Sequence, residues 1–280
     1  MADNTNVSYL SDLKKLYQYF DIKGIEIYPE NIEYEQLKEF IEYIAEIGLS
    51  DKTQARIVSA IKSFYKFLII ENIIKKSPAT FLEIPRLSRK LPTVLSIEEI
   101  EKIINAIDVS FYLGHRNRAI IEVLYGCGLR VSELTELKSS NIFFDEGFIR
   151  IIGKGDKQRL VPIGDIAKKE IHNYLISFRN HINPKKGHGD YLFLNRRGSK
   201  LTRIQIFNIV KEACENAEIS KIVSPHTFRH SFATHLIEGG ADLRAVQEML
   251  GHESISTTEI YTHIDREYLR EAIITYHPRS

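Results

Sequence analysis

Apolar residues recur at helical spacing in three stretches near the start of the chain. The stretches cover residues 7–20, 32–48 and 52–72, and in the third of them Ile57 and Ile61 lie four positions apart, on one side of a helix. Polar residues fill the remaining positions. This pattern predicts three amphipathic helices that pack together as a small bundle.

A proline-rich segment separates this bundle from the rest of the chain. Pro78, Pro85 and Pro92 fall within sixteen residues of one another, and proline at this density cannot lie inside a helix. We therefore predict a helical first domain over residues 1–84, a linker over 85–95 and a second domain over 96–280.

The second domain opens with a helix-start signal and continues mainly as helix. Ser96 is followed three residues later by Glu99, the pattern of a capping box. Further helices are predicted by the periodicity and by the glycines that end them. They cover residues 116–126, 131–138, 226–238 and 243–250.

Two short apolar runs in the second domain are typical of strands. Residues 148–152 and 159–163 are rich in isoleucine, valine and leucine, and a segment with two glycines, residues 153–157, joins them. This predicts a β-hairpin with Lys154 at its turn. The sequence therefore indicates a mainly α protein with a small β-hairpin or sheet in the C-terminal domain.

Composition excludes several classes of protein. With 43% hydrophobic and 27% charged residues the chain is an ordinary folded protein, and no run approaches the roughly 18 apolar residues of a membrane helix. The first twenty residues carry charges where a signal peptide would be apolar. With only two cysteines, Cys127 and Cys214, a reduced compartment is the simpler expectation. We expect a cytoplasmic protein with no membrane insertion.

The charge is spread unevenly, although the net charge is only +1. Residues 150–211 hold fourteen lysines and arginines against four acidic residues, an excess that suits a polyanion such as DNA. A basic polar stripe also follows the third predicted helix and is a candidate DNA-binding face. It consists of Lys52, Thr53, Arg56, Ser59 and Lys62. In both places the alternative is an ordinary solvated surface.

Several residues of the second domain could carry chemistry. His226 and Arg229 are three apart at a predicted helix start, where both side chains and the backbone amides favour an anion such as phosphate. His226 and His230 also have the i, i+4 spacing of zinc ligands. However, Thr227 stands where a His-Glu-x-x-His metallohydrolase has its general-base glutamate. His252 and Tyr261 are weak signals when taken singly.

Taken together, five separated motifs resemble the signature of the tyrosine recombinase (phage integrase) family. They are Arg130 in Gly128-Leu129-Arg130-Val131-Ser132-Glu133-Leu134, Lys154 at the hairpin turn, His226-Thr227-Phe228-Arg229-His230, Leu250-Gly251-His252 and Tyr261-Thr262-His263. Within the family the chain is most similar to the Xer type and its XerD branch. The resemblance implies a C-shaped clamp built from a SAM-like core-binding domain and a catalytic domain.

The resemblance also assigns a role to each motif residue. Tyr261 matches the nucleophile that forms a 3′-phosphotyrosyl link, His226 its proton acceptor, and Lys154 the donor of a proton to the leaving 5′ oxygen. Arg130, Arg229 and His252 match the groups that bind the phosphate. For Glu133, orienting Arg130 and capping the helix both stay open. No metal, cofactor or ATP is implied.

The partners implied are a double-stranded DNA recombination site and a homo- or hetero-tetramer with a related recombinase, with an FtsK-like translocase as a further candidate. The implied role is resolution of chromosome dimers before cell division. Alternatives are an integrase or invertase of a mobile element, a type IB topoisomerase and a non-catalytic DNA-binding regulator. The last helix, over residues 266–276, would dock on a neighbouring subunit or pack on its own core. Against the family pattern, we expect the usual first helix to be short or absent, because residues 4–20 align with the second.

Overall fold

A computed structural model describes residues 3–25, 28–84, 93–153, 158–251 and 263–280. The chain divides into two compact units, residues 1–90 and 91–280. Residues 85–92 of the predicted linker lie outside the described residues, and the predicted domain bounds stay a prediction.

The described part of the first unit contains three α-helices, as the periodicity predicted. They are α1 (Asp3–Ile22), α2 (Tyr34–Glu46) and α3 (Asp51–Ile70). Helix α3 packs against both of the others, and its apolar face carries the core, in which Ile57, Ile61 and Tyr65 are fully buried. Asp12 of α1 has a buried carboxylate that joins α1 to α3. It forms ion pairs with Lys15 at 2.8 Å and with Arg56 of α3 at 3.0 Å.

The second unit is built around helices that enclose a larger core. The helices are α4 (Ile97–Asn105), α5 (Gly114–Gly126), α6 (Val131–Thr135), α7 (Asp165–Ser177), α8 (Arg203–Asn216), α9 (Pro225–Gly239), α10 (Leu243–Leu250) and α11 (His263–Tyr276). The predicted capping box is confirmed at α4, since the Ser96 N–H donates to Glu99 at 2.7 Å and Ser96 Oγ accepts from the Glu99 N–H at 3.2 Å. Every residue of α5 from Ala119 to Gly126 is buried, which makes α5 the central helix.

A small antiparallel sheet lies in the second unit. Its strands are β1 (Ile142–Phe143), β2 (Phe148–Ile152) and β3 (Gln158–Pro162), in the order β1-β2-β3. The predicted hairpin is confirmed, with Ile149 opposite Val161 and Ile151 opposite Arg159. The two-residue strand β1 was not predicted. Lys154, placed by the sequence at the hairpin turn, lies outside the described residues.

The apolar side of α11 packs on its own domain. Leu269, Ala272 and Ile273 are buried, and α11 contacts α9, α10 and β3. Of the two alternatives for residues 266–276, the structure therefore has packing on the chain's own core.

No described helix is long and apolar enough to cross a membrane. Cys127 and Cys214 are buried and unpaired.

The residues after α11 are held by an ion pair with the central helix. Arg279 donates to both carboxylate oxygens of Glu122, at 2.6 and 3.1 Å, and Glu122 is only 1% exposed. Burial raises the pKa of Glu122, and the contact with Arg279 opposes that rise.

We expect Arg279→Met to lower the free energy of unfolding by roughly 3–5 kcal/mol, because it leaves Glu122 buried without a partner. Urea unfolding followed by circular dichroism measures the change. The double variant Glu122→Gln/Arg279→Met is expected to recover most of the loss, since neither charge then remains. An Arg279→Met protein as stable as the wild type would contradict this account of the ion pair.

Candidate active site

Arg130 stands where a tight turn meets the first residue of α6. The turn needs Gly128, whose φ of +58° is left-handed and whose missing side chain leaves room for Phe232, since a Cβ there would lie 2.4 Å from its ring. Arg130 Nη1 donates to Glu133 at 2.9 Å and Nη2 to the Gly251 carbonyl at 3.2 Å. Its side chain stays 38% exposed.

Arg229 and His226 come from the first turns of α9. Ser224 caps this helix and Pro225 is its first residue, one position before the predicted start at His226. The buried Arg229 donates to the Gly128 carbonyl at 2.8 Å and to the Leu250 carbonyl. Burial, and then the nearby Arg130 charge, lower the pKa of Arg229 to about 10, so that it remains charged at pH 7.

The imidazole of His226 lies in the field of these arginines. Its side chain reaches solvent, yet partial desolvation and the charges of Arg229, His230 and Arg130 lower its pKa below 6.5. A lowered pKa keeps the ring neutral at pH 7. A neutral imidazole has a nitrogen that can accept a proton.

Glu133 contacts both Arg130 and Arg229 through its carboxylate. Its carboxylate receives Arg130 Nη1 at 2.9 Å, the Arg130 backbone N–H at 2.8 Å and Arg229 at 3.8 Å. Burial would raise its pKa, but Arg159 and Arg130 hold the pKa at about 2. Both roles left open for Glu133 are therefore present, since it binds the guanidinium of Arg130 and also caps the start of α6.

Arg159 was missed as a site residue by sequence reasoning, which counted it only within the basic run. It lies on β3, is only 9% exposed, and donates to both oxygens of Glu133 at 2.9 and 2.8 Å. The available signal was the strand alternation, because Arg159 shares the inward-facing phase with the buried Val161. A charged residue in that phase requires a buried partner.

The structure thus brings Arg130 and Arg229 together, with His226 close enough to be affected by both. Lys154, His252 and Tyr261, the other predicted catalytic residues, lie outside the described residues. The structure describes the chain up to Gly251 and again from residue 263. The carbonyl of Gly251 accepts a hydrogen bond from Arg130. The six catalytic assignments remain predictions.

Metal chemistry was one alternative at this place. His226 and His230 would need a third ligand, and within the ranges given above no group of three histidine, cysteine, aspartate or glutamate side chains could hold a metal ion. The zinc alternative therefore gains no support from the part of the chain that the structure describes.

The predicted DNA-binding stripe lies along α3, with several side chains already engaged within the domain. Thr53 shares a hydrogen bond with Ser50 at 3.0 Å, and Ser59 donates to the Ala55 carbonyl at 2.8 Å. Arg56 keeps 47% of its side chain exposed while it contacts Asp12. Lys52 is exposed and Lys62 is half-buried. The stripe stays a prediction.

The basic residues within 150–211 likewise include some that are buried or hydrogen-bonded within the domain and others that are exposed. Arg159 and Arg179 are buried, and Arg150 donates to Asn141 at 2.7 Å. Other residues of the excess are exposed. They include Lys185, Lys186, Arg196, Arg197 and Arg203. A polyanion could reach the exposed members.

Comparisons with known proteins agree on one family. The model of the phage integrase family matches residues 93–267, and that of its N-terminal SAM-like domain matches residues 1–72. A tyrosine recombinase XerD of Chlorobaculum tepidum is 46% identical over 284 residues, covering 100% of this chain and 92% of that protein. The XerD of Halalkalibacterium halodurans is 41% identical over 280 residues, covering 100% and 93%.

Solved structures show the same architecture. A XerH site-specific recombinase bound to palindromic difH substrate in a post-cleavage complex has a TM-score of 0.74 and 32% identity, covering 95% of this chain and 78% of that chain. A lambda integrase dimer bound to a COC′ core site has a TM-score of 0.70 at 19% identity, covering 93% of each chain, which supports the fold alone. The predicted fold class, a mainly α two-domain protein with a small sheet, is confirmed.

Proposed function

Because the chain belongs to the phage integrase family and is a site-specific tyrosine recombinase that exchanges DNA strands, we propose that it acts through Tyr261 and the arginine pair Arg130 and Arg229. Tyr261 cuts one strand of a recombination site and forms a 3′-phosphotyrosyl link. A 5′ hydroxyl from a partner strand then attacks that link and reseals the DNA.

The arginine pair is the observation that supports this proposal most directly. Arg130 and Arg229 both contact Glu133 and both donate to successive carbonyls, those of Gly251 and Leu250. Arg130 keeps 38% of its side chain exposed, so its guanidinium can meet a phosphate that approaches from solvent. Fixed guanidiniums are strong ligands for the non-bridging oxygens of a phosphate.

Charge on the phosphate rises as the reaction proceeds. When the Tyr261 oxygen bonds to phosphorus, the non-bridging oxygens gain negative charge, which preorganised arginines stabilise. Such stabilisation supplies the charge compensation that a bound metal ion supplies elsewhere. We therefore propose that the transesterification proceeds without metal and without ATP.

Two protons must move for the bonds to exchange. A tyrosine of ordinary pKa near 10 is ionised in only about one molecule in a thousand at pH 7, so a base must take its proton. His226, neutral because its pKa is lowered, is assigned that role. The bond from phosphorus to the 5′ oxygen breaks, and Lys154 protonates the leaving oxygen. His252 donates a hydrogen bond to the phosphate.

The biological role follows from the relatives that match along the whole chain. XerD proteins cover all of this sequence at 40–46% identity, which favours chromosome-dimer resolution in the cytoplasm over the integrase or invertase of a mobile element. The proposed partners are a double-stranded DNA recombination site, related recombinase subunits in a homo- or hetero-tetramer, and an FtsK-like translocase. The stripe of α3 is proposed to contact the DNA.

A covalent-trapping experiment tests the function. Wild-type protein is incubated with EDTA and no nucleotide on nicked suicide duplexes that carry candidate sites, with and without a related recombinase, and then run on a denaturing gel. We expect a protein–DNA adduct that depends on Tyr261. Absence of any adduct on a duplex that the protein binds, with the related recombinase present, would overturn the proposed catalysis. An adduct abolished by EDTA would restore the metal alternative.

The proton-donor role of Lys154 has its own test. Lys154→Ala is expected to slow cleavage of an ordinary duplex by about 10²–10⁴-fold, because the 5′ oxygen then leaves unprotonated. A duplex with a 5′-bridging phosphorothiolate should be cleaved at nearly the wild-type rate, since its sulfur leaves without a proton. Lys38→Ala, at an exposed ion-pair lysine of α2, is the control and should behave like wild type on both duplexes. No rescue by the phosphorothiolate would place the general acid elsewhere.

A further inference from the structure

Arg159 is a buried arginine in the candidate active site that the proposed chemistry does not use. Its guanidinium binds both oxygens of Glu133, and its Nε donates to the Met249 carbonyl at 2.9 Å. Only 9% of the side chain is exposed. A guanidinium whose three nitrogens are all hydrogen-bonded within the protein is poorly placed to bind a phosphate as well.

Three successive carbonyls at the end of α10 each receive a different arginine. The carbonyl of Met249 accepts from Arg159, that of Leu250 from Arg229 and that of Gly251 from Arg130. Carbonyls at a helix C-terminus lack helical partners and carry partial negative charge, so they attract cations.

The carboxylate of Glu133 faces the same three arginines. It lies 2.8 Å from Arg159, 2.9 Å from Arg130 and 3.8 Å from Arg229. The three guanidiniums therefore lie between one carboxylate and one helix end. Among the residues that the structure describes, only Arg159 contacts both oxygens of Glu133 through its side chain, and this fixes the plane of the carboxylate.

We propose that Arg159 is a positioning residue, which orients Arg130 and Arg229 through Glu133 and through the end of α10. The inference rests on the proposed function, because it names the residue that sets the geometry of the proposed phosphate site. Arg159 holds the Glu133 carboxylate in one orientation, and Arg130 then takes its own direction from a fixed acceptor.

The close packing at Gly251 supports this role. A Cβ at Gly251 would lie 3.1 Å from Arg159 Cδ and 3.2 Å from its Nε and Nη1, so the backbone passes directly over the Arg159 side chain. The same stretch of backbone provides the carbonyls for Arg229 and Arg130. Arg159 thus supports both partners of these arginines, the carboxylate and the helix end.

A lysine at this position would keep the charge and lose the geometry. Its single ammonium cannot bind two carboxylate oxygens side by side and also reach the Met249 carbonyl. A shift of about 1 Å in a positioned catalytic group costs on the order of 10² in rate. DNA affinity depends on many contacts, and it should change little.

The experiment measures single-turnover cleavage on the duplex that gives the Tyr261-dependent adduct, with protein in excess over its Kd. Arg159→Lys is expected to cleave about 100-fold more slowly while its Kd for that duplex stays within about threefold of wild type. Arg179→Lys is the matched control. Arg179 is also buried and also holds backbone carbonyls, those of Gly189 and Tyr191, at a place outside the site. Its cleavage rate should stay within about twofold of wild type, even if its thermal midpoint falls as far as that of Arg159→Lys.

A double-variant cycle separates positioning from loss of stability and covers an Arg159→Lys protein that does not fold. Glu133→Gln, Arg159→Met and the double variant Glu133→Gln/Arg159→Met remove one or both charges of the pair, and a buried pair replaced as a whole often keeps its stability. Because Arg159 acts in part through Glu133, the double variant should lose less rate than the product of the two single-variant losses. Losses that multiply, or a folded Arg159→Lys with a wild-type cleavage rate, would overturn the proposal. A wild type that forms no adduct would overturn the proposed function and this inference together.

Discussion

Tyr261→Phe is expected to bind its DNA site and to form no covalent adduct. The substitution removes the single oxygen that would bond to phosphorus and keeps the aromatic ring, so contacts with DNA should survive. The rate of adduct formation should fall by at least about 10⁴-fold, the scale of loss when a nucleophile is removed. A denaturing gel reports the adduct, and a gel-shift titration reports the Kd.

A second tyrosine, seven residues further along the chain, provides the control for this prediction. Tyr268 on α11 is 43% exposed, and its hydroxyl donates a hydrogen bond to the Asp242 side chain. Tyr268→Phe also removes one phenolic oxygen, and it should leave adduct formation intact. An adduct that persists in Tyr261→Phe would show that another residue is the nucleophile.

Arg229→Lys is expected to lower the cleavage rate by about 10²–10³-fold although the charge is kept. Arg229 spans two carbonyls, those of Gly128 and Leu250, with separate N–H groups of one planar fork. A lysine cannot hold both and also present a second donor to the phosphate. Losing one preorganised donor to a developing oxyanion costs about this factor. Single-turnover cleavage with protein in excess measures it.

Burial alone must be excluded as the cause of that loss. Arg116 is similarly buried and donates to the Leu194 carbonyl at 3.2 Å, at a place outside the arginine cluster. Arg116→Lys should therefore cleave at close to the wild-type rate when both variants are compared below their unfolding temperatures. An Arg229→Lys rate within about threefold of wild type would contradict the assignment of Arg229 to the phosphate.

Most helices were predictable from the sequence because their signals are local, although no range was predicted for α7 or α8. The four-residue spacing of Ile57 and Ile61, and the pairing of Ser96 with Glu99, act within one or two helical turns. The hairpin was predictable for the same reason, since its two strands adjoin in sequence. Strand β1 was missed because two residues carry no readable alternation.

The candidate site depended on a different kind of information. Arg229 contacts the carbonyl of Gly128, 101 residues away, and Arg130 that of Gly251, 121 residues away. No local pattern encodes such pairs, and only the resemblance to a family indicated that they belong together. The contact of Arg159 with Glu133 was predictable neither from a local pattern nor from the resemblance, because the family motifs in this sequence do not include Arg159.

The low pKa of Glu133 has a consequence for behaviour in acid. Its pKa falls from an ordinary 4.5 to about 2 in the folded chain, so its contribution to stability is complete above pH 4.5 and is lost as the pH falls toward 2. A histidine of ordinary pKa near 6.5 titrates above that range. The arginine cluster therefore keeps its charge balance throughout mild acidification. A fall in strand cleavage between pH 7 and 5 would then report on histidines such as His226, while the framework that holds the phosphate stays intact.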